Sequence, residues 1–554
     1  MAEAPPKRRA MVGWYDPRVL AHSGYQVAIA NVFGRHSDTR LIEALASQPQ
    51  GEFDYSEAAG DFWFDYVADT GDGWNSTYAI AAALAEPSLE FQQGAEKIRT
   101  EAGRVLVFGG DEVYPYPSRN EYEVRTETPY RHAFAGRAHP DVFAIPGNHD
   151  WYDSLVAFSR TFCRPERGFA GCRTHQTRSY FALRLPANWW LLAIDLQLGA
   201  DLDEPQVQYF QRVASKMDDS ARLIFCVPEP RWILEDAYPS HSNYEELTST
   251  RFLEEKVFKR SASVFLTGDL HFYKRHENAA GVQKITSGGG GAFLHPTHAP
   301  NTQELRNGFV QRAAYPDEKT SRRLTWRNFL FPLINPKSGW LYAFLYAMSA
   351  WLASASLEWS DLGDLPTAIG ATLNAVVRDP LNGMWLVTII GGFIFFTDTH
   401  IRSWRIVGGL CHALMHLAAA FAVGWLALLL TTRGFDLTYG HIPQLLVSGL
   451  VVFVLGGPVG AFILGLYLFI SIRVFKRHGN EAFSSLRIQD YKQWLRMRIA
   501  PDGSLTIFAI GLDRVPRRWK TTTRSGQQTS EADDPAATQP RLIDRVRLPA
   551  RGAG

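Results

Sequence analysis

Short apolar runs that end in a polar turn recur along the first 300 residues. The pattern is clearest where residues 142–145 lead into Pro146-Gly147-Asn148-His149-Asp150. Four further runs are each followed within three residues by an acidic side chain: residues 64–68, 105–108, 223–227 and 264–267. Runs of this length bounded by Gly and Pro are typical of buried strands, and the longer connections between them favour an α/β layered domain. One such turn alone could be an ordinary polar loop, but five strand ends at one sheet edge would gather metal ligands.

A second pattern begins near residue 336, where charged residues become scarce. Four long apolar runs follow, at residues 340–357, 384–397, 406–431 and 442–472. Because a bilayer core needs about 20 such residues per helix, we expect an all-α transmembrane bundle of about four helices over residues 336–475. The second run is short, and Gly456-Gly457-Pro458 in the fourth favours a kink. Helices buried in a soluble domain are the alternative, which would need a large partner to cover them.

The charges beside these runs predict their orientation. Basic residues precede the first run, separate the second from the third and follow the fourth, whereas the other two connections together hold five acidic residues against two arginines. By the positive-inside rule, both termini face the cytoplasm of a multi-pass cell-membrane protein. Residues 1–9 are basic but no apolar stretch follows them, so we expect no secretory signal. Four cysteines are too few for a disulfide framework; Cys163 and Cys172 could pair if oxidised, but a reduced loop is favoured.

Net charge and local composition disfavour a nucleic-acid partner and indicate the structure of the segments outside the two domains. The chain has 554 residues and a formal charge of +1, whereas a nucleic-acid partner would favour a clear basic excess. Residues 1–50 predict a helical or interfacial segment. Residues 476–520 predict a β-hairpin around Pro501-Asp502-Gly503, too small to fold alone, which should dock on the preceding domain or on the membrane face. The Ser/Thr/Gln/Asp/Pro-rich residues 521–554 predict a disordered tail.

Four motifs in chain order carry a family resemblance. Asp69-x-Gly71, Gly110-Asp111-x-x-Tyr114, Gly147-Asn148-His149-Asp150 and Gly268-Asp269-x-His271 resemble the motifs of calcineurin-like metallophosphoesterases, and the first two are most similar to the purple acid phosphatase branch. The resemblance covers about residues 60–300. It implies a four-layer α/β sandwich, with two mixed β-sheets flanked by helices, in a domain over residues 51–335.

The resemblance also implies a ligand set for two metal ions. Asp69, Asp111, Tyr114 and His271 would hold the first ion, with Asp111 bridging to a second that Asn148 binds. Two departures affect the second site, because 227–230 lacks the expected His and Asp269 stands where another His belongs. Asp269 and Glu229 would replace them. A Tyr phenolate suits iron or manganese at the first site, whereas oxygen donors favour manganese or magnesium at the second.

These residues predict an activity. His149 is the candidate proton donor, with Asp150 orienting its ring. We expect a membrane-anchored binuclear phosphoesterase that cleaves a phosphate ester at the cytoplasmic membrane face, by attack of a metal-bound hydroxide. We expect a phosphorylated lipid as substrate, because the catalytic domain would be tethered at the membrane face. The alternative is a degenerate domain that serves as the sensor or regulatory module of a membrane receptor or transporter. Candidate substrate-binding residues are His295, His298 and Arg119, and the sequence does not indicate the oligomeric state.

Overall fold

The chain folds into two compact units. The computed structural model describes residues 6–29, 50–196, 202–237, 249–355, 358–397 and 401–551. One unit, the α/β unit, comprises Met1–Val12, Ala21–Ser321 and Arg487–Gly554. The other, the helical unit, comprises Gly13–Leu20 and Arg322–Leu486. The α/β unit is therefore assembled from pieces of chain on both sides of the helical unit, whereas the sequence predicted one continuous domain over 51–335.

Twenty strands lie in the described part of the chain. They are β1 Phe53–Asp54, β2 Phe62–Val67, β3 Ser88–Gln93, β4 Glu96–Glu101, β5 Val105–Phe108, β6 Asp141–Ala144, β7 Arg173–Thr174, β8 Phe181–Arg184, β9 Trp189–Ala193, β10 Arg222–Cys226, β11 Val264–Thr267, β12 Tyr273–Glu277, β13 Gln283–Ser287, β14 Glu304–Leu305, β15 Phe309–Tyr315, β16 Lys492–Ile499, β17 Leu505–Leu512, β18 Trp519–Arg524, β19 Gln527–Ala532 and β20 Arg541–Leu548. The five apolar runs that the sequence predicts as strands form β2, β5, β6, β10 and β11.

The α-helices alternate with these strands in the α/β unit and dominate the helical unit. They are Pro17–Ile29, Trp74–Leu84, Arg119–Tyr122, Thr128–Phe134, Val156–Phe162, Glu204–Ala214, Arg231–Ala237, Ser249–Phe252, Glu318–Leu324, Phe331–Ile334, Gly339–Ala355, Leu365–Arg378, Pro380–Phe396, Arg402–Leu429, Ile442–Ile470 and Gly479–Ser484. Pro17–Ile29 lies within the predicted N-terminal segment, and residues 30–49 of that segment lie outside the described residues.

Two large mixed sheets form the α/β unit. The first has nine strands in the order β1-β8-β9-β10-β11-β13-β12-β15-β14, and the second has seven in the order β20-β17-β16-β2-β5-β6-β7. Strands β2, β5 and β6 run parallel to one another in one sheet, and β10, β11 and β13 do so in the other. Their carboxyl ends therefore meet at one edge of each sheet.

Alternating side chains divide the α/β unit into layers. Phe64 of β2 and Leu266 of β11 belong to one apolar cluster between the two sheets. The next residue along the strand points to the opposite face, so Trp63 packs in a second cluster with Tyr78 of helix Trp74–Leu84. A third cluster joins the nine-stranded sheet to Phe210 of helix Glu204–Ala214. The order of layers is helix, sheet, sheet, helix.

Strands from beyond the helical unit complete the seven-stranded sheet. The predicted hairpin is confirmed as β16 and β17, and β16 pairs antiparallel with β2 from Ile499↔Phe62 to Leu495↔Tyr66. The disorder predicted for residues 521–554 is wrong, because the hairpin β18–β19 and the edge strand β20 occupy this segment. Polar residues of this segment have hydrogen-bond partners in the α/β unit. For example, the Tyr78 hydroxyl donates to the Ser530 carbonyl at 2.6 Å.

The helical unit contains two helices that are long and apolar enough to cross a membrane, Arg402–Gly434 and Ile442–Phe475, among the described residues. Leu365–Arg378 and Pro380–Phe396 form a pair bent by 97°, which would raise the number to three if the pair is one span. The first predicted run forms Gly339–Ala355, a helix of 17 residues. The described helices therefore give two or three candidate spans and not the four that the sequence predicts. The second predicted run, residues 384–397, begins within the second helix of the bent pair.

Candidate functional site

The loops after β2, β5 and β11 carry three aspartates with the same unusual backbone. Asp69, Asp111 and Asp269 have φ values of 59°, 55° and 66°, a left-handed conformation that costs energy in residues other than glycine. Bonds between the loops hold this conformation. The Asp269 amide donates to the Asp69 carboxylate at 3.0 Å, and the Asp69 amide donates to the Gly110 carbonyl at 2.9 Å. Carboxylates from both sheets are thereby brought together.

Glycines allow this close packing. A Cβ on Gly147 would lie 2.1 Å from Oδ1 of Asp111, and a Cβ on Gly268 would lie 2.5 Å from Oδ2 of Asp69. Neither distance is compatible with a side chain. These glycines are needed because other loops of the site approach their backbone directly.

The Tyr114 hydroxyl lies at the centre of the predicted first ligand set. Its oxygen is 3.0 Å from Oδ1 of Asp69, 3.1 Å from Oδ2 of Asp111 and 3.0 Å from Nε2 of His271. One phenol proton therefore faces three potential acceptors. Burial, followed by the charges of Asp111 and Asp69, raises the pKa of Tyr114 well above its ordinary value. The structure brings all four predicted ligands of the first site together.

The tautomer of His271 follows from its partners. Nδ1 is 2.7 Å from the Phe293 carbonyl, which can only accept, so Nδ1 carries the proton and Nε2 carries the lone pair. Burial lowers the pKa of His271 well below its usual range, so the ring is neutral. Nε2 is also 3.3 Å from Oδ1 of Asp69. A backbone carbonyl that fixes the tautomer in this way is a common support for a metal-binding imidazole.

The donor atoms of this cluster fit a cation only when the Tyr114 phenol oxygen is counted with the carboxylates and the imidazole. Within the described ranges, no group of three His, Cys, Asp or Glu side chains is arranged to hold a metal ion. With the phenol oxygen included, neighbouring donor atoms are 3.0 to 3.3 Å apart. An octahedral ion with ligands at about 2.0–2.1 Å spaces adjacent ligands by about 2.9 Å, close to these values. Burial raises the pKa of both Asp69 and Asp111, which a bound cation would counteract.

The loop after β6 places His149 beside this cluster. The rings of His149 and Tyr114 are 4.4 Å apart between centroids, and the His149 amide donates to Oδ1 of Asp111 at 2.9 Å. Nδ1 of His149 is 2.9 Å from the Pro115 carbonyl, so the proton on Nδ1 is donated there. Burial lowers the pKa of His149 to about 4, and the ring is neutral at pH 7.

The orienting role predicted for Asp150 is wrong. Its carboxylate accepts from the Gly147 amide at 2.8 Å, from the Glu112 amide at 3.3 Å and from the Tyr122 hydroxyl. The carbonyl of Pro115 orients the His149 ring instead. Asp150 begins a turn of 3₁₀ helix, which directs its side chain back to the start of the loop. Asp150 therefore shapes the loop rather than the imidazole.

The residues predicted for a second ion are less closely joined. Nδ2 of Asn148 donates to the Tyr152 hydroxyl at 3.2 Å. The Oδ1 atom of Asn148 is therefore the one that could bind an ion. Burial raises the pKa of Asp269, and the charges of Glu229 and Asp69 raise it further. Glu229 accepts from Arg231 at 3.2 Å. All three donors are oxygen, as the sequence predicts, but Glu229 already has a cationic partner.

The three candidate substrate-binding residues have different surroundings. His295 stacks on His271, with centroids 4.0 Å apart, and its Nδ1 accepts from the His271 amide at 3.1 Å. Nδ1 of His298 is 2.8 Å from the Ser321 hydroxyl. Arg119 is exposed at the start of a short helix. His295 thus contacts a predicted ligand, and a substrate role for His295, His298 and Arg119 stays a prediction.

Four buried residues at the site were missed from the sequence. Glu112 and Tyr122 contact Asp150, and Glu112 could have been noticed as a second acid beside Asp111. Lys492 and Gln493 follow the helical unit, more than 200 residues after the last motif, so no local signal points to them. Gln493 accepts from the Ser287 hydroxyl at 2.6 Å. Burial lowers the pKa of Lys492 to about 7, and Asp69 and Asp72 are among the charges that act on it.

Comparison with known proteins gives matches to solved structures only. No family model matches the chain, and no curated protein matches it. GAP50, "the anchor in the inner membrane complex of Plasmodium", is 13% identical over 45% of this chain and 77% of its own, with a TM-score of 0.32. Purple acid phosphatase PPD1 from yellow lupin (Lupinus luteus) seeds is 14% identical over 48% of this chain and 51% of its own, with a TM-score of 0.31. PhoD is 11% identical over 44% of this chain and 59% of its own, with a TM-score of 0.29. Matches this weak carry no argument about activity, so the functional conclusion rests on the side chains.

Proposed function

We propose that the chain is a metal-dependent phosphoesterase anchored in the cell membrane, which hydrolyses a phosphate ester at the cytoplasmic face. The observation that carries the proposal is the convergence of Asp69, Asp111 and His271 on the Tyr114 hydroxyl, with the His149 ring 4.4 Å from the phenol. Oxygen and imidazole donors, beside a second imidazole that can take up and donate a proton, are what hydrolysis of a phosphate ester requires.

Each side chain then has a role. Asp69, Asp111, Tyr114 and His271 would hold one ion, and Asp111, Asn148 and Asp269 would hold a second, for which their oxygens favour manganese or magnesium. When bound, the ions would supply positive charge to the phosphoryl oxygens and lower the pKa of an attacking water. The resemblance of the four motifs to calcineurin-like metallophosphoesterases and the layered α/β unit support this reading.

His149 would provide the proton for the leaving oxygen. In the substrate-free site its ring is neutral because burial lowers its pKa to about 4. The negative charge of a phosphate ester beside the ring favours the imidazolium form and raises that pKa. The ring would thus take up its proton as the substrate binds, while Pro115 keeps Nδ1 fixed and leaves Nε2 to exchange the proton.

The membrane part of the proposal rests on the apolar helices and their flanking charges. Both termini would lie on the cytoplasmic side, because Arg and Lys cluster before the first apolar run and after the last. A substrate at that face, such as a phosphorylated lipid, follows from this placement.

The proposal is tested by metal content and hydrolysis together. Full-length protein in detergent is assayed by elemental analysis and with an aryl phosphate in the presence of manganese, magnesium, iron or zinc. We expect two ions per chain, and loss of one ion and of activity in Asp269→Ala. Asp219→Ala, at an exposed aspartate, is the matched control and should keep both. Activity without bound metal would refute the proposal.

A regulatory domain without activity is the second candidate. It is favoured by one observation, that no three His, Cys, Asp or Glu side chains in the described residues form a metal site. Protein that binds no ion, and hydrolyses neither aryl phosphates nor lipid phosphates with any of the four metals, would establish this alternative.

A further inference from the structure

Two basic segments of the helical unit, far apart in the sequence, lie together. Residues 322–338 and 471–480 contain no Asp or Glu, and their basic residues are Arg322, Arg323, Arg327, Lys337, Arg473, Lys476 and Arg477. Nη1 of Arg473 donates to the Arg322 carbonyl at 3.4 Å. Gly465 allows the approach, since a Cβ there would lie 2.3 Å from the Asn328 carbonyl oxygen. The arginines and Lys476 thus concentrate positive charge at the end of the helix Ile442–Ile470. Lys337 does not belong to this group, because its Nζ pairs with Asp16 at 2.6 Å and the nearby Gly339 packs against Gly457 in the middle of that helix.

The first of these segments turns apolar side chains outward. Phe331 is buried, whereas Trp326, Leu330 and Leu333 are 55%, 48% and 78% exposed. The Trp326 ring lies 4.7 Å from that of Phe469 on the long apolar helix. Exposed Leu and Trp beside such a helix, interleaved with arginines, are typical of a segment that lies in the interface of a bilayer.

One of these arginines also lies over the aromatic ring. The Arg473 guanidinium is 6.0 Å from the centre of the Trp326 ring, which places a positive charge beside the aromatic side chain. Arg323 and Arg327 are exposed on the same segment as Trp326. A soluble acidic partner would satisfy the arginines but not the exposed leucines, and an apolar partner would leave the arginines unmatched.

We propose that residues 322–333 and 471–477, the basic rim, bind the phosphate-bearing headgroups of anionic phospholipids. The lipid phosphate would lie against the arginines, and the acyl chains against Trp326, Leu330 and Leu333. Clusters of four to eight Lys and Arg beside a membrane helix give this lipid preference. The proposal depends on the adjoining helix crossing a bilayer, but it does not depend on phosphoesterase activity.

The test measures lipid preference in the full chain. The protein is equilibrated in dodecyl maltoside micelles that contain equal amounts of phosphatidylglycerol and phosphatidylcholine, and the lipid retained is counted by native mass spectrometry. Each basic residue near an anionic surface contributes about fivefold in affinity, so R323Q/R327Q should lower the preference for phosphatidylglycerol about 25-fold. The matched control R378Q/R433Q removes two exposed arginines elsewhere in the helical unit and should leave the preference unchanged.

Two further measurements keep the proposal falsifiable if R323Q/R327Q does not fold. In 1 M salt, where the Debye length is about 3 Å, the wild-type preference should disappear. Brominated phosphatidylcholine should quench the fluorescence of the wild type more than that of W326F, because Trp326 would touch the acyl chains.

Equal retention of the two lipids by the wild type would overturn the proposal. So would an unchanged preference in R323Q/R327Q, or an equal loss in the control. Release of the chain from native membranes by alkaline extraction would overturn the membrane premise, and the proposal with it. Loss of hydrolytic activity alone would not affect it.

Discussion

The buried ion pair between Asp65 and Arg496 joins β2 to the strand that follows the helical unit. Nε of Arg496 is 2.7 Å from Oδ1 of Asp65, and Nη2 is 3.1 Å from Oδ2. Arg496 also donates to the Leu84 carbonyl at 3.0 Å, and the Gly103 amide donates to Asp65 at 2.9 Å. Arg496 is 0% exposed and Asp65 is 4% exposed. Arg496→Met keeps a long unbranched side chain but leaves the Asp65 carboxylate buried without its cation.

The expected cost follows from that burial. Removing one partner of a buried ion pair costs about 3–5 kcal/mol. Unfolding entropy of about 2.1 cal/mol/K per residue makes 1 kcal/mol equal to roughly 1.3 °C in a unit of this size, so Tm should fall by about 4–6 °C. Tryptophan fluorescence during heating of the full chain in detergent measures this. The double variant Asp65→Asn, Arg496→Met leaves no buried charge and should recover about half of the loss.

An exposed pair in the same sheet is the control. Arg547 of β20 lies 3.0 Å from Asp502, and both side chains are more than half exposed. Such pairs contribute about 0–1 kcal/mol, so Arg547→Met should change Tm by about 1 °C or less. A fall of less than about 1 °C in Arg496→Met, or a double variant no more stable than the single one, would refute the reasoning.

Three further outcomes are expected at the site. His149→Ala should lower kcat/KM about 10²–10⁴-fold while metal content is unchanged, and equal loss of both would contradict its role as proton donor. Tyr114→Phe removes the central oxygen and should lower metal content by elemental analysis, with Tm within about 2 °C of wild type; unchanged metal content would exclude Tyr114 as a ligand. Burial raises the pKa of Asp72 to about 6 in the folded protein, so its contribution to stability is present below about pH 4 and is lost as pH rises through 6. Tm of Asp72→Asn should therefore fall less than that of wild type between pH 5 and pH 7, and parallel profiles would show that Asp72 does not titrate there.

The sequence predicted strands and turns best where short apolar runs and neighbouring turn residues decide the local structure. The apolar runs before Asp69, Asp111, Asn148, Glu229 and Asp269 are strands, because four to six consecutive buried residues leave few other ways to pair their backbone. The turn at Pro501-Asp502-Gly503 likewise determined the β16–β17 hairpin. The meeting of Asp69, Asp111, Tyr114 and His271 followed from the motifs and not from pattern alone.

Long-range contacts decided what the sequence could not show. The tail was predicted as disordered because its composition is polar, yet Tyr78 bonds to both the amide and the carbonyl of Ser530, at 2.9 Å and 2.6 Å, and Thr529 is buried. Tertiary hydrogen bonds replaced the missing apolar residues. Asp150 was assigned to His149 because the two are adjacent, but the turn of 3₁₀ helix directs the carboxylate to Gly147 and Glu112.

The discontinuous seven-stranded sheet determines the order in which parts of this protein can fold during synthesis. When the ribosome has finished β2, the partner of its free edge is still more than 400 residues away, beyond the long apolar helices of the helical unit. During synthesis β2 must wait with an unpaired edge, which is a site for aggregation or for a chaperone. A chain that stops before residue 487 has no β16, β17 or β20, so the sheet cannot close. A complete α/β unit can therefore form only after the whole helical unit has been synthesised.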